Sequence, residues 1–581
     1  MDEAGAASQS VACAEVDAAL IGAGEPVLTS NSGEVRAAAA PALSLRGARL
    51  YLAVTVTLAA AVAGVLLWLE MRRYSHFGAG AYDFGIFEQT VWLIAHGHQP
   101  FVTVRGMLTL GDHFSPILYL ISALRHLIPT PYVLCVVQSL SLAAGAIPLY
   151  RLALRRSKQP WIACLLAASY LAHPSLWGMA AFDYHPETLA VPVLLAALDA
   201  IDGRKWGWLA FWCGLAIVCK ESLPPVVFML GLLAVLRGGR WHGGAIAAGA
   251  AAWFFIATGA MAHFAGRHSS AYLSLYSPVL NAARHGTGAL FSTVCQMVSS
   301  PGSLGYLTGL MGPLAFLYLL APEVALVAVP SLLSGVLSKV DAMHTIGYQY
   351  DVVPLAVLYA AAAVGMGRAL NLAKREGVDP FHAETLLAVI LLYSGMVSVT
   401  KTTWPSITHL YGAGVSSGLA AERDELLSKI PPGASVTAPS DILPHLADRQ
   451  RIYMFPNPAQ ESCWGPSIAA LEQQRGLSFT PCAPETFRAA LAGSGVEYVV
   501  LVLDHGPRFP LTLHDYHQLA GSALTCPQFG VVETGGDLVL LRRGAAFQEG
   551  LKRLALDSEK SPDALDKELE QDWPALPIGD S

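Results

Sequence analysis

Long apolar runs recur along most of the chain, and they constrain its fold more than any other feature. A membrane helix needs about 20 apolar residues, or fewer where neighbouring helices bury it. Only 14% of the residues are charged and the mean hydropathy is +0.46, so such a chain cannot hide its apolar surface in water. We therefore expect a mainly α-helical, polytopic membrane protein with about eleven membrane helices. The runs cover residues 50–69, 132–150, 160–177, 187–201, 206–219, 223–237, 243–265, 303–320, 323–338, 351–371 and 383–400.

The run 116–128 is the exception, because it has 13 residues and carries Arg125 and His126. Pro129 and Pro131 then end it. It is too short to cross a bilayer and is more typical of a juxtamembrane or re-entrant helix.

The basic turns of the chain indicate its orientation, since cytoplasmic loops of membrane proteins are enriched in Lys and Arg. If the N-terminus is cytoplasmic and the eleven helices alternate, the basic turns 151–158, 202–207, 237–244 and 367–377 all fall inside. The loop 70–131 and everything after residue 401 then fall outside. The expected location is the plasma membrane.

Composition divides the chain into four parts. Residues 1–46 lack the basic start and cleavage site of a signal peptide and are expected to form a disordered cytoplasmic tail. Residues 47–402 form the membrane domain, with its large first outer loop. Residues 403–547 have the composition of a small soluble α/β domain, and 548–581 that of a disordered acidic tail.

The α/β domain is predicted from strand, helix and hairpin patterns. Residues 434–439 and 496–504 are typical of buried strands, 484–493 of a helix, and 529–543 of a hairpin with a Gly-Gly turn. The nine cysteines follow no metal-binding spacing. Outside the cell, two of Cys463, Cys482 and Cys526 are able to pair, and the sequence does not say which.

Five polar clusters fall on the predicted outer face. Ionisable groups at a membrane edge cost roughly 2.5–3.5 kcal/mol each on insertion scales, so they are candidates for function. The formal net charge of −7 argues against a nucleic-acid partner. The clusters are "YDFGIFEQTVW" (82–92), "GDHFSP" (111–116), "FDYHPE" (182–187), "CKES" (219–222) and "HTIGYQYD" (344–351).

Asp83 precedes an apolar stripe of Phe84, Phe87 and Val91 at helical spacing. We expect an amphipathic helix on the outer surface with Asp83 near its start. Asp83 is then either a plain N-cap or a general base and sugar-hydroxyl anchor at the water–lipid boundary.

Asp183, His185 and Glu187 alternate, so an extended segment places all three on one face. Such a set is suited to a metal or a pyrophosphate-bound metal, and equally to capping the next helix. The sequence leaves the cofactor unknown, with a divalent cation as one option.

Two further clusters have both ordinary and functional interpretations. Lys220 and Glu221 are suited to a local ion pair, and Lys220 also to binding phosphate. His344, Tyr348, Gln349 and Tyr350 are suited to holding a sugar, although the tyrosines there also fit an interface belt.

The quoted runs "YDFGIFEQTVW", "GDHFSPIL" and "DYHPE" resemble domain-of-unknown-function family 2079, a group of predicted polytopic membrane proteins. The stretch "ASVTAPSDILPHLADRQRIYMFP" (434–456) also resembles that family. The resemblance covers roughly residues 60–540. The family in turn looks like the GT-C glycosyltransferases, which transfer a sugar from a polyprenyl-phosphate carrier to an acceptor outside the cytoplasm.

This resemblance implies a polyprenyl-phosphate sugar donor and a membrane lipid as partners. The acid of the first outer loop is then Asp83, with Asp112 as the competitor, because the paired-acid motif of many such enzymes is not plain in "YDFG". The catalytic candidates are Asp83, Asp112 and His113. The substrate-binding candidates are Glu88, Gln89, Arg105, Asp183, His185, Glu187, Lys220, Glu221, His344, Tyr348 and Gln349.

Two other classes of function compete with a glycosyltransferase. A transporter or flippase for a lipid-linked or polar solute places charged groups along a path through the membrane. A non-catalytic cell-envelope protein uses its outer domain to bind partners. Convergence of the clusters in one place favours the transferase, whereas clusters more than ~15 Å apart, far beyond hydrogen-bond reach, argue against it.

Overall fold

The computed structural model describes residues 45–128, 131–265, 275–412, 414–462, 481–503 and 511–546. Cys463 and both predicted tails, apart from Leu45 and Arg46, lie outside the described residues. Cys482 and Cys526 are free thiols and are not bonded to each other.

Six helices of the described chain are long and apolar enough to cross a membrane. They correspond to six of the eleven predicted runs, usually with a few more residues at each end. Their bounds are Leu45–Ser75, Tyr132–Ser157, Pro160–Ala181, Arg240–Phe264, Gln349–Arg375 and Pro380–Lys401. Within them, breaks separate Tyr132–Ala144 from Ala146–Ser157 and Pro160–Leu171 from Pro174–Ala181.

The other five predicted runs form shorter or broken helices. Ala190–Asp202, Trp206–Ile217 and Pro224–Leu236 have 12 or 13 residues each. The run 303–320 is not continuous, because Ala315 and Phe316 have left-handed backbone conformations. The remaining pieces are Pro301–Met311, Gly312–Leu314, Leu317–Leu320, Pro322–Ala325, Leu326–Ala328 and Val329–Val336.

The helix Val352–Arg375 is the centre of the membrane domain, and its residues from Val352 to Gly367 are all buried. Its small side chains let neighbouring backbones approach closely. At Gly365, a Cβ would stand 1.9 Å from the carbonyl oxygen of Leu317, so only glycine fits there. Close packing through small residues is typical of helices in membranes.

The loop after the first helix contains a π-helical turn, Ala81–Gly85, that continues into the helix Ile86–Ala95. A two-stranded hairpin, β1 (Phe101–Val102) and β2 (Met107–Leu108), follows. The helices Thr109–Asp112 and Ile117–Leu124 complete the loop. The eight-residue length of Ile117–Leu124 fits the prediction that the run 116–128 does not span.

The helix Ile86–Ala95 is not a surface helix, contrary to expectation. Seven of its ten residues are buried, among them the polar Glu88 and Gln89. Membrane helices cover one face, and the C-terminal domain covers the other. The periodicity of the apolar residues could not reveal the contact with the C-terminal domain, because that domain lies more than 300 residues away in the chain.

The C-terminal domain is built on a five-stranded mixed sheet with the order β4-β3-β5-β7-β6. Strand β3 (Val436–Ala438) pairs in parallel with β4 (Ile452–Met454) and β5 (Tyr498–Val502). Strands β6 (Phe529–Gly535) and β7 (Leu538–Arg543) form the predicted hairpin. The helices around the sheet are Ser417–Leu427, Leu443–Leu446, Pro484–Gly493 and Leu513–Leu524.

The remaining described helices are short. Pro186–Leu189, Asp341–His344 and Gln349–Asp351 are single 3-10 turns. Ser277–Arg284 and Thr287–Val298 precede Pro301–Met311. Val399–Thr403 and Trp404–Gly412 extend the last membrane helix, Pro380–Ser398, toward the C-terminal domain.

The first loop and the C-terminal domain share one hydrophobic core. Phe77, Ala81 and Ile86 pack in the same cluster as Val436 and Leu443. The fold class expected from the sequence is confirmed: a mainly α-helical polytopic protein with a small C-terminal α/β domain.

Candidate functional site

Residues from all five predicted clusters meet at one end of the helical bundle. Asp83 and His185 are joined directly, with 3.2 Å between Asp83 Oδ1 and His185 Nε2. The charges of Lys220 and His113 act on the Asp83 carboxylate, and Asp83 and Lys220 act on the Tyr350 hydroxyl. Segments up to 267 residues apart therefore build one site, here called the Asp83 site (Asp83, His113, His185, Glu187, Lys220, Glu221 and Tyr350).

Asp83 is placed by the π-helical turn Ala81–Gly85, which the Gly85 N–H closes by donating to the carbonyl of Gly80. The first N–H groups of such a turn have no partner within it. The Gly80 N–H donates to Asp183 Oδ2 at 2.9 Å, and the Ala81 N–H donates to Ser440 Oγ at 3.1 Å. Asp83 is thus not the cap of its own helix.

The Asp83 side chain is 32% exposed, whereas the His185 side chain facing it is 2% exposed. Burial by itself raises the pKa of the Asp83 carboxyl, but the hydrogen bond and positive charge of His185 outweigh it and the pKa falls below its ordinary value. Burial lowers the pKa of His185, and contact with Asp83 reverses this and raises it. The pair is therefore a carboxylate beside an imidazolium, with the carboxylate open to a ligand.

Lys220 and Glu221 do not form the local ion pair that is one option from the sequence. Lys220 Nζ donates to Glu187 Oε1, and His113 Nδ1 lies 3.1 Å from Glu221 Oε1. Glu221 Oε2 also accepts the N–H of Phe114 at 3.0 Å. Burial lowers the pKa of the Lys220 ammonium, but Glu187 and Glu221 outweigh it and raise the pKa, so the ammonium stays charged. The Lys220 ammonium and the His113 imidazole thus reach the site from separate loops.

Aromatic rings form one wall of the Asp83 site. The ring of Phe87 lies 6.2 Å from His113 and 5.9 Å from His185. Phe182 stacks on His185 at 5.4 Å, and Tyr348 meets Phe182 edge-on at 5.0 Å. These rings hold the two imidazoles in place and exclude water from their inner sides.

The segment 344–351 reaches the site mainly through Tyr350, which the sequence did not separate from its neighbours. Gln349 is buried, and its Oε1 has no hydrogen-bond partner among the described residues. His344 Nε2 lies 3.6 Å from Asp341 Oδ1. Tyr348 contacts the aromatic wall through Phe182, and Gln349 directly precedes Tyr350.

Several candidates are bound to partners within the protein. Asp112 accepts both guanidinium hydrogen bonds of Arg105, at 2.8 and 2.7 Å. Arg105 also lies over the ring of Tyr82 at 4.6 Å. Asp112, a candidate for the competing base, and Arg105, a candidate for a phosphate ligand, are thus bound to each other.

Gln89 connects the first loop to the C-terminal domain. Its Nε2 donates to Thr103 Oγ1 at 2.8 Å and to the carbonyl of Arg449 at 3.2 Å. Its Oε1 accepts the N–H of Val104. Glu88 is buried in the same helix, and its charge acts on Tyr74.

Asp183, His185 and Glu187 do not act as one three-residue set. Asp183 Oδ1 pairs with Arg73, His185 with Asp83, and Glu187 with Lys220. Among the described residues, no three His, Cys, Asp or Glu side chains are arranged to hold a metal ion.

Arg73, Gln138 and Ser440 support the site, and sequence reasoning missed all three. Gln138 Oε1 accepts the N–H of His185 at 3.1 Å. The position of Arg73 could have revealed it. Lys and Arg are enriched at the cytoplasmic ends of membrane helices, whereas Arg73 lies at a predicted outer end. Glu70, Arg73, Gln138 and Tyr184 also line a small cavity with room for about one water molecule.

The family match decides the relationship of the chain to known proteins. Residues 73–473 match the family described as "Predicted membrane protein (DUF2079)". The chain belongs to this family. The DUF2079 protein is accordingly a multi-pass membrane protein, in agreement with its six long apolar helices.

Two crystal structures of ArnT from Cupriavidus metallidurans are similar to the DUF2079 protein. The structure bound to undecaprenyl phosphate is 15% identical and covers 85% of this chain and 98% of that chain, with a TM-score of 0.49. The apo structure is 16% identical and covers 84% and 97%, with a TM-score of 0.48. No curated protein matches the sequence.

Proposed function

We propose that the protein is a glycosyltransferase that moves a sugar from a polyprenyl-phosphate carrier to an acceptor hydroxyl. The observation that carries the proposal is the partly open Asp83 carboxylate, which lies between His185 and Lys220 in a site built from five distant segments. A carboxylate for the acceptor and a cation for the phosphate are the two groups that this transfer needs.

Asp83 is the proposed proton acceptor. The acceptor hydroxyl hydrogen-bonds to the exposed part of the Asp83 carboxylate and loses its proton to it as its oxygen bonds to the sugar C1. The bond between C1 and the phosphate oxygen breaks at the same time, and its electron pair leaves with the lipid phosphate. His185 keeps Asp83 ionised before the acceptor arrives.

Lys220 and His113 are proposed to face the departing phosphate. Lys220 keeps its charge through Glu187, and His113 is oriented by Glu221. Because both groups are held by carboxylates of the protein, they need no reorganisation when charge develops on the phosphate. The aromatic wall around Phe87 offers surface for the sugar ring or the lipid end.

The proposed orientation places the site outside the cytoplasm. The charge bias of the turns puts the N-terminus inside, and it then puts the Asp83 site and the C-terminal domain on the outer side. A lipid-linked donor reaches a site there from within the membrane, which suits a cluster at the end of a helical bundle.

The test uses the full-length protein reconstituted in liposomes. A panel of labelled sugars linked to undecaprenyl phosphate is offered together with soluble and lipid acceptors, and release of free undecaprenyl phosphate is measured. We expect turnover with the wild type and its loss in Asp83→Asn. Asp379→Asn is the matched control, because Asp379 caps an exposed helix start far along the chain and Asn caps as well.

Two outcomes contradict the proposal. One is transfer by the wild type that persists in Asp83→Asn. The other is movement of a lipid-linked sugar across the liposome membrane without any release of the carrier phosphate, which indicates a flippase.

A further inference from the structure

The turn that carries Asp83 is held from two domains at once. Its first two N–H groups, on Gly80 and Ala81, go to Asp183 of the membrane domain and to Ser440 of the C-terminal domain. These acceptors are 103 and 359 residues away in the chain. Both acceptors bind backbone N–H groups just before Asp83 in the chain.

The fit between the turn and the C-terminal domain is close. A Cβ on Gly85 would stand 2.6 Å from Leu443 Cδ2, and one on Gly80 would stand 3.2 Å from Asp183 Oδ2. Leu443 is fully buried in the core that Ala81 and Ile86 share. A shift of the domain therefore moves the turn with it.

Further contacts fix the C-terminal domain at this place. The His445 ring stacks between Tyr74 and Phe77, at 4.4 and 3.7 Å between ring centroids. Thr103 Oγ1 donates to the carbonyl of Ile452 at 2.7 Å and accepts its N–H at 2.9 Å. Ser440 itself directly follows Pro439 at the carboxyl end of β3, which runs parallel to both of its neighbours, and ligand sites usually form at this end of parallel strands. Here the turn that carries Asp83 contacts this end of the strand through Ser440.

We infer that the C-terminal domain completes the site, and that Ser440 is a positioning residue that orients Asp83 through the Ala81 N–H. The domain is then part of the catalytic machinery and not a separate binding module. The kinetic part of this inference rests on the proposed function, whereas its structural part stands without it.

The experiment compares Ser440→Thr with Ser440→Val in the full-length protein. Thr keeps a hydroxyl and Val has the same shape without one. Hydrogen exchange of the segment around Ala81 is measured by mass spectrometry, and turnover is measured with labelled undecaprenyl-phosphate sugars. Ser428→Ala is the control, since Ser428 is exposed in the same domain and its hydroxyl donates to the nearby carbonyl of Glu425.

We expect Ser440→Val to exchange roughly 3- to 10-fold faster at Ala81, the effect of losing about one hydrogen bond. Its kcat falls by a similar factor with KM unchanged, and exchange in strands β3 and β5 stays as in the wild type. Ser440→Thr restores both values.

Equal behaviour of the Thr and Val variants overturns the inference, whether both resemble the wild type or both are impaired, because the hydroxyl then has no role. Unfolding of the sheet in Val alone also overturns it, since Ser440 is then a stability residue of its own domain. If the wild type shows no turnover at all, the proposed function fails, and the exchange data still decide whether the domain holds the turn.

Discussion

His185 Nε2 lies 3.2 Å from Asp83 Oδ1, and the two side chains differ sharply in exposure, at 2% and 32%. The imidazole is thus a fixed internal group and the carboxylate is the part that meets a ligand. Burial and pairing act against each other in both residues, and pairing prevails in both: the pKa of Asp83 is lowered and that of His185 is raised. Each group of the pair therefore favours the ionised form of the other.

The first prediction concerns the acid limb of turnover. Asp83 must be ionised to accept a proton, and His185 lowers the pKa of its carboxyl. In His185→Gln that pKa rises, so the acid limb of kcat/KM moves to higher pH. The check is a pH profile of both proteins with the same labelled donor. An acid limb that stays in place contradicts the assignment of Asp83 as the base.

The same pair predicts how stability depends on pH. The contribution of Asp83 is present above its unfolded pKa of about 3.9 and is lost as the pH falls through its lowered folded pKa. The contribution of His185 is present below about 6.5 and is lost as the pH rises through its raised folded pKa. Melting temperatures of the wild type should thus decline above neutral pH, and His185→Gln should lack this part of the decline.

A third prediction concerns the Lys220–Glu187 pair, whose side chains are 7% and 4% exposed. Lys220→Met leaves a buried carboxylate without its cation and should destabilise the protein by about 3–5 kcal/mol. The double variant Lys220→Met/Glu187→Gln should be more stable than the sum of the single effects. Unfolding in mixed micelles measures this double-mutant cycle.

Measuring turnover in the same variants distinguishes a structural role of Lys220 from a role in the reaction. If the Lys220 ammonium faces the phosphate, the double variant recovers stability and stays inactive. An active double variant would show that the ammonium is needed only to neutralise Glu187.

A fourth prediction separates the two acids of the first loop. Asp112 and Arg105 form a buried bidentate pair, with side chains 6% and 8% exposed. Asp112→Asn should cost about 3–5 kcal/mol and leave the turnover of each folded molecule nearly intact. Asp83→Asn should abolish the turnover of folded molecules and cost less stability, because the Asp83 side chain is 32% exposed. Folded fraction and specific activity, measured on the same samples, check both, and loss of activity in folded Asp112→Asn would return the base role to Asp112.

Sequence reasoning predicted that the residues of the Asp83 site lie near one another, but it did not predict the partner of each residue. The charge bias and the membrane-edge position brought together Asp83, His113, His185 and Lys220, because desolvation makes such residues costly wherever they lack a function. The elements of the C-terminal domain also followed from local patterns, since alternation and turn residues act over a few positions. The helix of residues 484–493 has the predicted bounds.

Pairing could not be read from the sequence, because it depends on contacts between distant segments. Lys220 and Glu221 are adjacent in the sequence, yet each pairs with a residue from another loop. The alternation of Asp183, His185 and Glu187 indicated a common face, but each has a separate partner: Arg73, Asp83 and Lys220 respectively. The role of Ser440 depends on how two domains dock, and no local pattern carries that information.

The last prediction concerns the contact between two backbones beside the site. A Cβ on Gly178 would stand 2.3 Å from the Cα of Gly347, and the Gly347 N–H donates to Asp351 at 2.8 Å. A backbone cannot move aside as a side-chain end can, so Gly178→Ala should push the segment that carries Tyr350 away from Lys220. We expect a loss of about 1–3 kcal/mol from overpacking and a lower kcat. Gly305→Ala is the matched control, because nothing lies within 4 Å of a Cβ there and alanine in a helix interior stabilises by roughly 0.5–1 kcal/mol. Melting temperature and turnover of the two variants should therefore change in opposite directions or by clearly different amounts, and equal behaviour would show that the contact between Gly178 and Gly347 does not position the site.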